Sequence, residues 1–477
     1  MTASQGAGDA KTLAIVGGGL AGLAAAVAAT QNGLHVELFE QAKTLGGRAG
    51  SFYHPRTGGW VDFSPHVSLG CCTNLADLCR RTGLADAFRT HRVLHFIGPK
   101  GGQFDVAATP GLPAPLHLLP SLLRLGYLTF REKWDVARAL RKLAQEPLAD
   151  TTGGETAAAW LRRHNQSERA IERFWSLVLE SALAGTAERV SLSAAAKVFR
   201  DGFLAARSAY VLRIPQRPLA EIWARVATWL TERGAAVHLR SRVRQIDGNG
   251  RRAAGLIFQD GSRRTPDRIV LAVHWQQVRR LLPPEMRSAL PALEQLEQIE
   301  AAPITTANFW FDRPLGPLPH AALAGRLSQW VFARSVDQLR LPTAAPQTAH
   351  HYQVVISGAG ELLDRSREKV LAEVRHDLKR IWPAAREARL LYAQLLTRRA
   401  AVFAMRPGVN GLRPPQRTPV ENLFLAGDWT ATGWPGTMEG AVRSGYLAAE
   451  ALLDGAGPRR ILVPDLPRAL LARWLCG

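Results

Sequence analysis

Cysteine is scarce in this chain: four residues, Cys71, Cys72, Cys79 and Cys476, among 477. Neither the number nor the spacing makes a disulfide framework or a zinc site, so these thiols read as reduced packing residues. Long apolar runs are missing too. None reaches the roughly 18 residues needed to span a bilayer, and the nearest, Gly111 to Phe130, is interrupted by Pro113, Pro115, His117, Pro120 and Arg124. Such a segment can lie on a membrane but cannot cross it. The first ten residues, MTASQGAGDA, lack the basic start and apolar core of a signal peptide, so a cytoplasmic location is expected. Acidic residues are the minority, 40 against 60 Lys and Arg, and the formal charge is +20. The excess is mostly arginine and dispersed. Its short cluster at Arg263 to Arg268, RRTPDR, carries no interleaved aromatics, so no nucleic-acid partner is expected. An anionic membrane surface stays open.

What is present begins at Leu13 with LAIVGGGLAGLAAAVAATQNGLHVELFE. An all-apolar run suited to a covered parallel strand leads into Gly17, Gly19 and Gly22, spaced G-x-G-x-x-G. A helix-forming stretch follows, closed by Gly33, and then a second strand ending at Glu40. Gly17 serves the tight turn, Gly19 lets the backbone approach a pyrophosphate, and Gly22 lets helix and strand pack closely. Phosphates would sit on the exposed amides of the helix N-terminus, and Glu40 has the spacing of a carboxylate for ribose hydroxyls. At this point the motif leaves FAD and NAD both open.

The segment AKTLGGRAGSFY, Ala42 to Tyr53, resembles the flavin-dependent amine oxidase and phytoene desaturase superfamily. There a Gly-Gly-Arg, here Gly46, Gly47 and Arg48, wraps the flavin nucleotide, so the cofactor implied is FAD. The resemblance returns in NLFLAGDWTATGWPGTMEGAVRSGYLAAEAL, Asn422 to Leu452, where Gly427 and Asp428 end an apolar strand and Thr437, Met438 and Glu439 open a helix aimed at the cofactor. It also implies that a central segment near Val243 covers the adenine. The fold class implied is α/β, a Rossmann-like FAD-binding domain of the glutathione-reductase type with a mixed α+β substrate-binding domain inserted. The expected boundaries are 11–90, 216–282 and 411–456 for the FAD domain, 91–215 and 283–410 for the substrate domain, and 457–477 for an amphipathic tail.

Within the superfamily, Gly59 to Leu84 and Ala426 to Gly445 are similar to the squalene-associated hydroxysqualene dehydroxylases. That resemblance implies a hydrophobic isoprenoid substrate, with hydroxysqualene losing its hydroxyl reductively to give squalene for hopanoid synthesis. Two departures stand out: Phe63 and Ser64-Pro65 where Asp-x-Gly-x-His is expected, and Trp434 and Gly436 where Leu and Ala are expected. Losing an allylic hydroxyl needs a proton for the oxygen and a dry pocket. His66 and Asp62 are the candidates for acid and orienting carboxylate, with Glu439 and Glu180 in reserve. The glycine triplets at Gly248 and Gly358 lack a following helix, so no NAD(P)H domain is expected and electrons pass through an external donor or acceptor. Competing expectations are a carotenoid-type desaturase or isomerase, an amine oxidase, and a flavin-bearing lipid-binding protein without turnover. The tail VPDLPRALLARWLCG places Leu466, Leu470, Leu471, Trp474 and Leu475 at helical spacing, fit either to dock on the protein or to lie in a membrane interface.

Overall fold

Leu13 to Val16 are apolar without alternation because their strand lies at the centre of a sheet. In the computed structural model, which describes residues 11–147, 154–340, 347–358, 360–454 and 460–476, β1 (Thr12–Val16) pairs in parallel with β2 (His35–Phe39) on one side and with Arg268–Leu271 on the other. Ala236–His238 and Leu423–Leu425 complete five parallel strands, in the order Ala236–His238, β2, β1, Arg268–Leu271, Leu423–Leu425. One sheet is thus assembled from an early, a central and a late stretch of the chain.

Helix α1 (Leu20–Gln31) is buried from Leu20 to Ala29, which explains a composition that is apolar all round. It is clasped by the late helix Met438–Leu453, whose Gly445 comes so near that an added Cβ would lie 2.3 Å from the Ala21 carbonyl oxygen. Gly33, at φ +78, ends α1 in the left-handed conformation.

The second body is built on a mixed sheet of seven strands. Its order is Leu390–Phe403, Ala301–Phe311, Gln347–Ser357, Trp330–Leu339, His320–Leu323, Val93–Ile97, Gln103–Ala107. Four of these strands run 10 to 14 residues. Alternation sorts their faces. Ala307, Phe309, Phe311, Val354 and Ile356 meet Val370, Val374 and Leu378 of helix Arg367–Ile381 in one apolar cluster. Each such side chain contributes about 1.5 to 3 kcal/mol of burial. The opposite face, carrying Asn308, Gln353, Phe332 and Trp330, turns toward the interior of the molecule.

A helical layer covers that face. Helix Phe130–Gln145 starts on a capping box in which Thr129 and Glu132 exchange side-chain and backbone hydrogen bonds. The apolar stretch Glu172 to Gly185 enters through a π-helical segment, Ile171–Ser176, before the regular helix Leu177–Leu183. A second π turn, Arg200–Leu204, extends helix Leu192–Phe199. The tail is a short helix, Leu470–Cys476, and its expected single apolar face is split. Leu466 packs beside Cys71 and Trp434, and Leu475 beside Ala144 and Leu204, while Leu470 and Trp474 point outward, 84% and 80% exposed. Among the described residues no helix is long and apolar enough to cross a membrane.

Candidate active site

Above the carboxyl ends of β1 and β2 the three motif glycines face different demands. A Cβ on Gly17 would lie 2.5 Å from the Ala272 carbonyl oxygen, and one on Gly22 1.9 Å from the Gly17 oxygen. The protein's own packing requires both. A Cβ on Gly19 would meet nothing within 4 Å. Gly19 is the N-cap of α1, with no capping side chain and no acid in the first turn, so those amides face open space with the helix dipole behind them. Glu40 stands at the end of β2, fixed by hydrogen bonds of 2.7 Å from the Gly18 and Ala42 amides. The loop leading to Val243 crosses here, with Ser241 donating to the Glu40 carbonyl, and Val243 is buried in one cluster with Phe39 and Phe258.

The Gly-Gly-Arg segment folds back onto the glycine loop. Gly46 forms a parallel bridge with Gly19 and donates to the Gly18 carbonyl at 2.8 Å. Gly46 and Gly47 hold φ of +103 and +58, and a Cβ on Gly46 would strike Trp223. Arg48 then reaches across to Asp428 in an ion pair and donates to the Ala401 carbonyl at 3.0 Å. Gly427, before Asp428, is held by the Ser444 hydroxyl at 2.8 Å. Arg413 donates to the carbonyls of Asp428 and Trp434 and locks the intervening loop. Thr437 caps helix Met438–Leu453 through the Gly440 amide, and Met438 is buried next to it. The Ala expected at 436 would crowd Phe403, since a Cβ there comes within 3.1 Å of its ring.

His274 lies within electrostatic reach of both Arg48 and Asp428, and burial, reinforced by Arg48, pushes its pKa down to about 4. It is neutral at physiological pH. Nothing local in the chain marks His274 as a neighbour of residues 48 and 428.

The loop Asp62 to His66 lies on the interior face of the large sheet. Asp62 accepts from the Ser51 hydroxyl at 2.7 Å, the Leu219 amide at 2.8 Å and Arg334 at 2.7 Å. No hydrogen bond joins it to His66, whose Nδ1 instead lies 2.7 Å from the Ser64 carbonyl. The orienting contact expected between the two is therefore replaced by a backbone one. Burial lowers the His66 pKa, with Asp62 opposing. A neutral ring donating from Nδ1 presents Nε2 as an acceptor, which suits it poorly to protonating a leaving oxygen.

Glu439 is wholly buried, and burial pushes its pKa up, opposed by Leu75, Asn74 and Arg443. Its oxygens accept from the Asn74 and Leu75 amides and from the Asn74 side chain, so it ties helix Thr73–Arg81 to helix Met438–Leu453. Glu180 lies in a separate polar recess, hydrogen-bonded to Gln329, with a pKa raised to about 7 by burial and by Glu361.

Three amide side chains form a row that the sequence did not reveal. Gln394, Asn308 and Gln353 are direct cross-strand neighbours on the interior face, in register with Phe332. Gln353 donates to Asn308 and to the Asp62 carbonyl, yet Asn308 Nδ2, Gln353 Oε1 and Gln394 Oε1 are buried without a protein partner. Buried polar atoms of this kind are costly unless a ligand or water meets them. Phe332, in register with this row, is one wall of an apolar cavity of about 250 Å³ whose other walls include Leu69, Leu94, Val178, Phe203 and Trp434.

An uncapped helix N-terminus over a bare glycine, a carboxylate at the end of the second strand, a glycine loop bridged to it and orphaned amides beside an apolar cavity together fit a flavin dinucleotide. This is the arrangement of an FAD-dependent oxidoreductase. The chain belongs to the flavin containing amine oxidoreductase family, whose profile matches residues 20–453. Among its relatives, a zeta-carotene desaturase of Synechocystis is 26% identical over 92% of this chain and 97% of its own. Hydroxysqualene dehydroxylases of Zymomonas mobilis and Rhodopseudomonas palustris are 27% and 28% identical, over 92% and 93% of this chain and 98% of each of theirs. The fold is shared with an oxidoreductase of Methanosarcina mazei (TM-score 0.69, 18% identity, 91% of this chain and 98% of that one). It is shared equally with a putrescine oxidase variant (TM-score 0.69, 19% identity, 93% and 99%).

Proposed function

We propose that this enzyme removes the hydroxyl group of hydroxysqualene reductively and releases squalene. The observation that carries the reading is the apolar cavity beginning at Trp434 to Glu439, the loop that closes the FAD cradle, in a chain related over nearly its whole length to hydroxysqualene dehydroxylases. Bound FAD, once reduced, supplies a hydride. The chain's own residues do the rest. Gly19 and the first-turn amides of α1 would hold the pyrophosphate, with Gly17 and Gly22 shaping the turn, Glu40 the ribose, Val243 the adenine side, and Gly46, Gly47, Arg48, Gly427, Asp428, Thr437 and Met438 the remainder of the cofactor. Asp62 and Arg334 brace the loop that carries His66 against the sheet, and the cavity wall excludes water from the reacting carbon.

A second reading, carotene desaturation, rests on the relatives that are zeta-carotene and phytoene desaturases. It runs hydride transfer in the opposite direction in a similar cavity. Anaerobically reduced enzyme incubated with hydroxysqualene, and oxidised enzyme incubated with phytoene or with a simple amine, separate the readings. Squalene from the first substrate supports the proposal, and oxidised polyene or aldehyde from the others overturns it.

We also place the enzyme on an anionic membrane surface, with an external redox partner. Phe130 and Trp134, 79% and 60% exposed, stand one turn apart on helix Phe130–Gln145, against which the tail helix packs. Leu470 and Trp474 repeat the spacing on the tail, and exposed Arg131, Arg138 and Arg141 supply charge for anionic head groups.

A further inference from the structure

One feature of the cavity wall does not suit a hydrocarbon. Helix Leu192–Phe199 passes directly into the π turn Arg200–Leu204, and from this junction Lys197, Val198, Asp201, Gly202 and Phe203 reach the cavity. Such turns shift side chains by one position and recur at functional sites. Lys197 Nζ lies 2.7 Å from Asp201 Oδ2, 3.7 Å from Asp465 Oδ2 and 4.6 Å from the centre of the Trp434 ring. The side chains of Lys197 and Asp201 are only 13% and 18% exposed. Trp434 donates to Asp465 in turn, and it belongs to the loop that closes the FAD cradle.

A desolvated ion pair of this kind adds little net stability compared with apolar residues of the same size. Against a pure hydrocarbon it would be a liability, because burying the ammonium under an apolar chain leaves its remaining donors unmet. An ammonium has three donors, and among the described residues Asp201 is the one hydrogen-bond acceptor of Lys197.

We propose that the cavity takes a long apolar chain bearing one hydroxyl group, and that Lys197, held by Asp201, donates first a hydrogen bond and then a proton to that oxygen. This deepens the dehydroxylase reading and rests on it. The carbon–oxygen bond breaks, the oxygen leaves as water with the proton from Lys197, and the carbon takes a hydride from reduced flavin, which ends oxidised. Lys197 recovers its proton from solvent. A desaturase substrate carries no oxygen and has no use for the pair.

The test uses the holoenzyme and two readouts. In the first, oxidised enzyme is titrated with hydroxysqualene and with squalene, following flavin absorbance. Wild type binds the alcohol at least tenfold more tightly, Lys197→Met binds both alike with its affinity for squalene unchanged, and Lys197→Gln, which keeps a donor, retains most of the preference. In the second, dithionite-reduced enzyme is mixed with hydroxysqualene. Flavin reoxidation slows about a hundredfold or more in both variants, because neither has an acidic proton to give. Equal binding of alcohol and hydrocarbon by wild type overturns the proposal, as does undiminished reoxidation in Lys197→Gln. If wild type prefers the alcohol through Lys197 but is never reoxidised by it, the recognition site stands and the dehydroxylase reading falls. Should Lys197→Met lose its FAD, Lys197→Gln and Asp201→Asn carry both measurements.

Discussion

Arg48 and Asp428 lie 380 positions apart and form an ion pair that joins the loop after β2 to the end of the late strand Leu423–Leu425. Asp428 is almost fully buried, whereas Arg48 keeps a partly exposed edge. Removing the cation leaves a buried carboxylate without its partner. Arg48→Met is expected to cost about 3 kcal/mol, read as a fall in the melting temperature of flavin-free protein, and to lower FAD occupancy. Asp428→Asn should cost less, since it removes the charge that needs the partner. An Arg48→Met protein as stable and as yellow as wild type would refute this account of the cradle.

Two glycines of one motif are expected to fail in different ways. Gly19→Ala meets no protein atom and keeps an ordinary backbone conformation, at φ −72. The apoprotein should melt unchanged while FAD affinity drops, because the new methyl occupies the phosphate approach. Gly22→Ala would drive a Cβ into the Gly17 carbonyl, and overpacking against backbone lowers stability by about 3 kcal/mol or more. Thermal melts with and without added FAD distinguish the two, and identical behaviour would contradict the division of labour.

Glu180 has a pKa raised to about 7 by burial and Glu361. A carboxyl raised in the fold binds more protons there than in the unfolded chain, so its contribution is complete below the unfolded pKa, near 4.5, and is lost as pH rises through 7. Glu180→Gln keeps an acceptor for Gln329 but cannot ionise. Relative to wild type it should therefore be unchanged below pH 4.5 and more stable above pH 7, by up to about 3 kcal/mol. Denaturant titrations at pH 5 and 8 check the sign, and a variant weaker at pH 8 would reverse it.

The membrane placement is tested by sedimentation with anionic and neutral liposomes. Phe130→Ser with Trp134→Ser, and Leu470→Ser with Trp474→Ser, should each reduce pelleting severalfold without loss of bound flavin. Added salt should weaken the binding without abolishing it, since screening acts on the arginines and not on apolar contact. Equal pelleting of wild type and both double variants would remove these helices from the interface.

The glycine motif, α1 and Glu40 were legible in the sequence because they form one unbroken strand, turn, helix and strand within about 30 positions, although the carbonyl that crowds Gly17 belongs to distant Ala272. The Gly-Gly-Arg loop and Asp428 were legible through resemblance, not through any local signal that would bring residues 48 and 428 together. What escaped is set by register. The row of Gln394, Asn308 and Gln353 exists only because three strands align at those positions, and Arg334 meets Asp62 across 272 residues. The π segment Ile171–Ser176 is not legible either, because its hydrogen-bond shift leaves the apolar spacing almost intact. The tail's apolar period was visible, but which of its residues dock depended on Ala144, Leu204 and Trp434.

The five-stranded sheet also fixes when in the life of the chain the cofactor can be captured. Its central strand, β1, leaves the ribosome well before one neighbour, Arg268–Leu271, and the edge strand Leu423–Leu425 are made. Until position 428 has emerged, Arg48 lacks Asp428 as its counter-charge and the Arg268–Leu271 strand has a bare edge. Contacts so distant in sequence form slowly, and uncovered strand edges are adhesive meanwhile. Flavin capture therefore waits for position 428, and the nascent enzyme depends on protection from aggregation while the long stretch between β1 and that position is made.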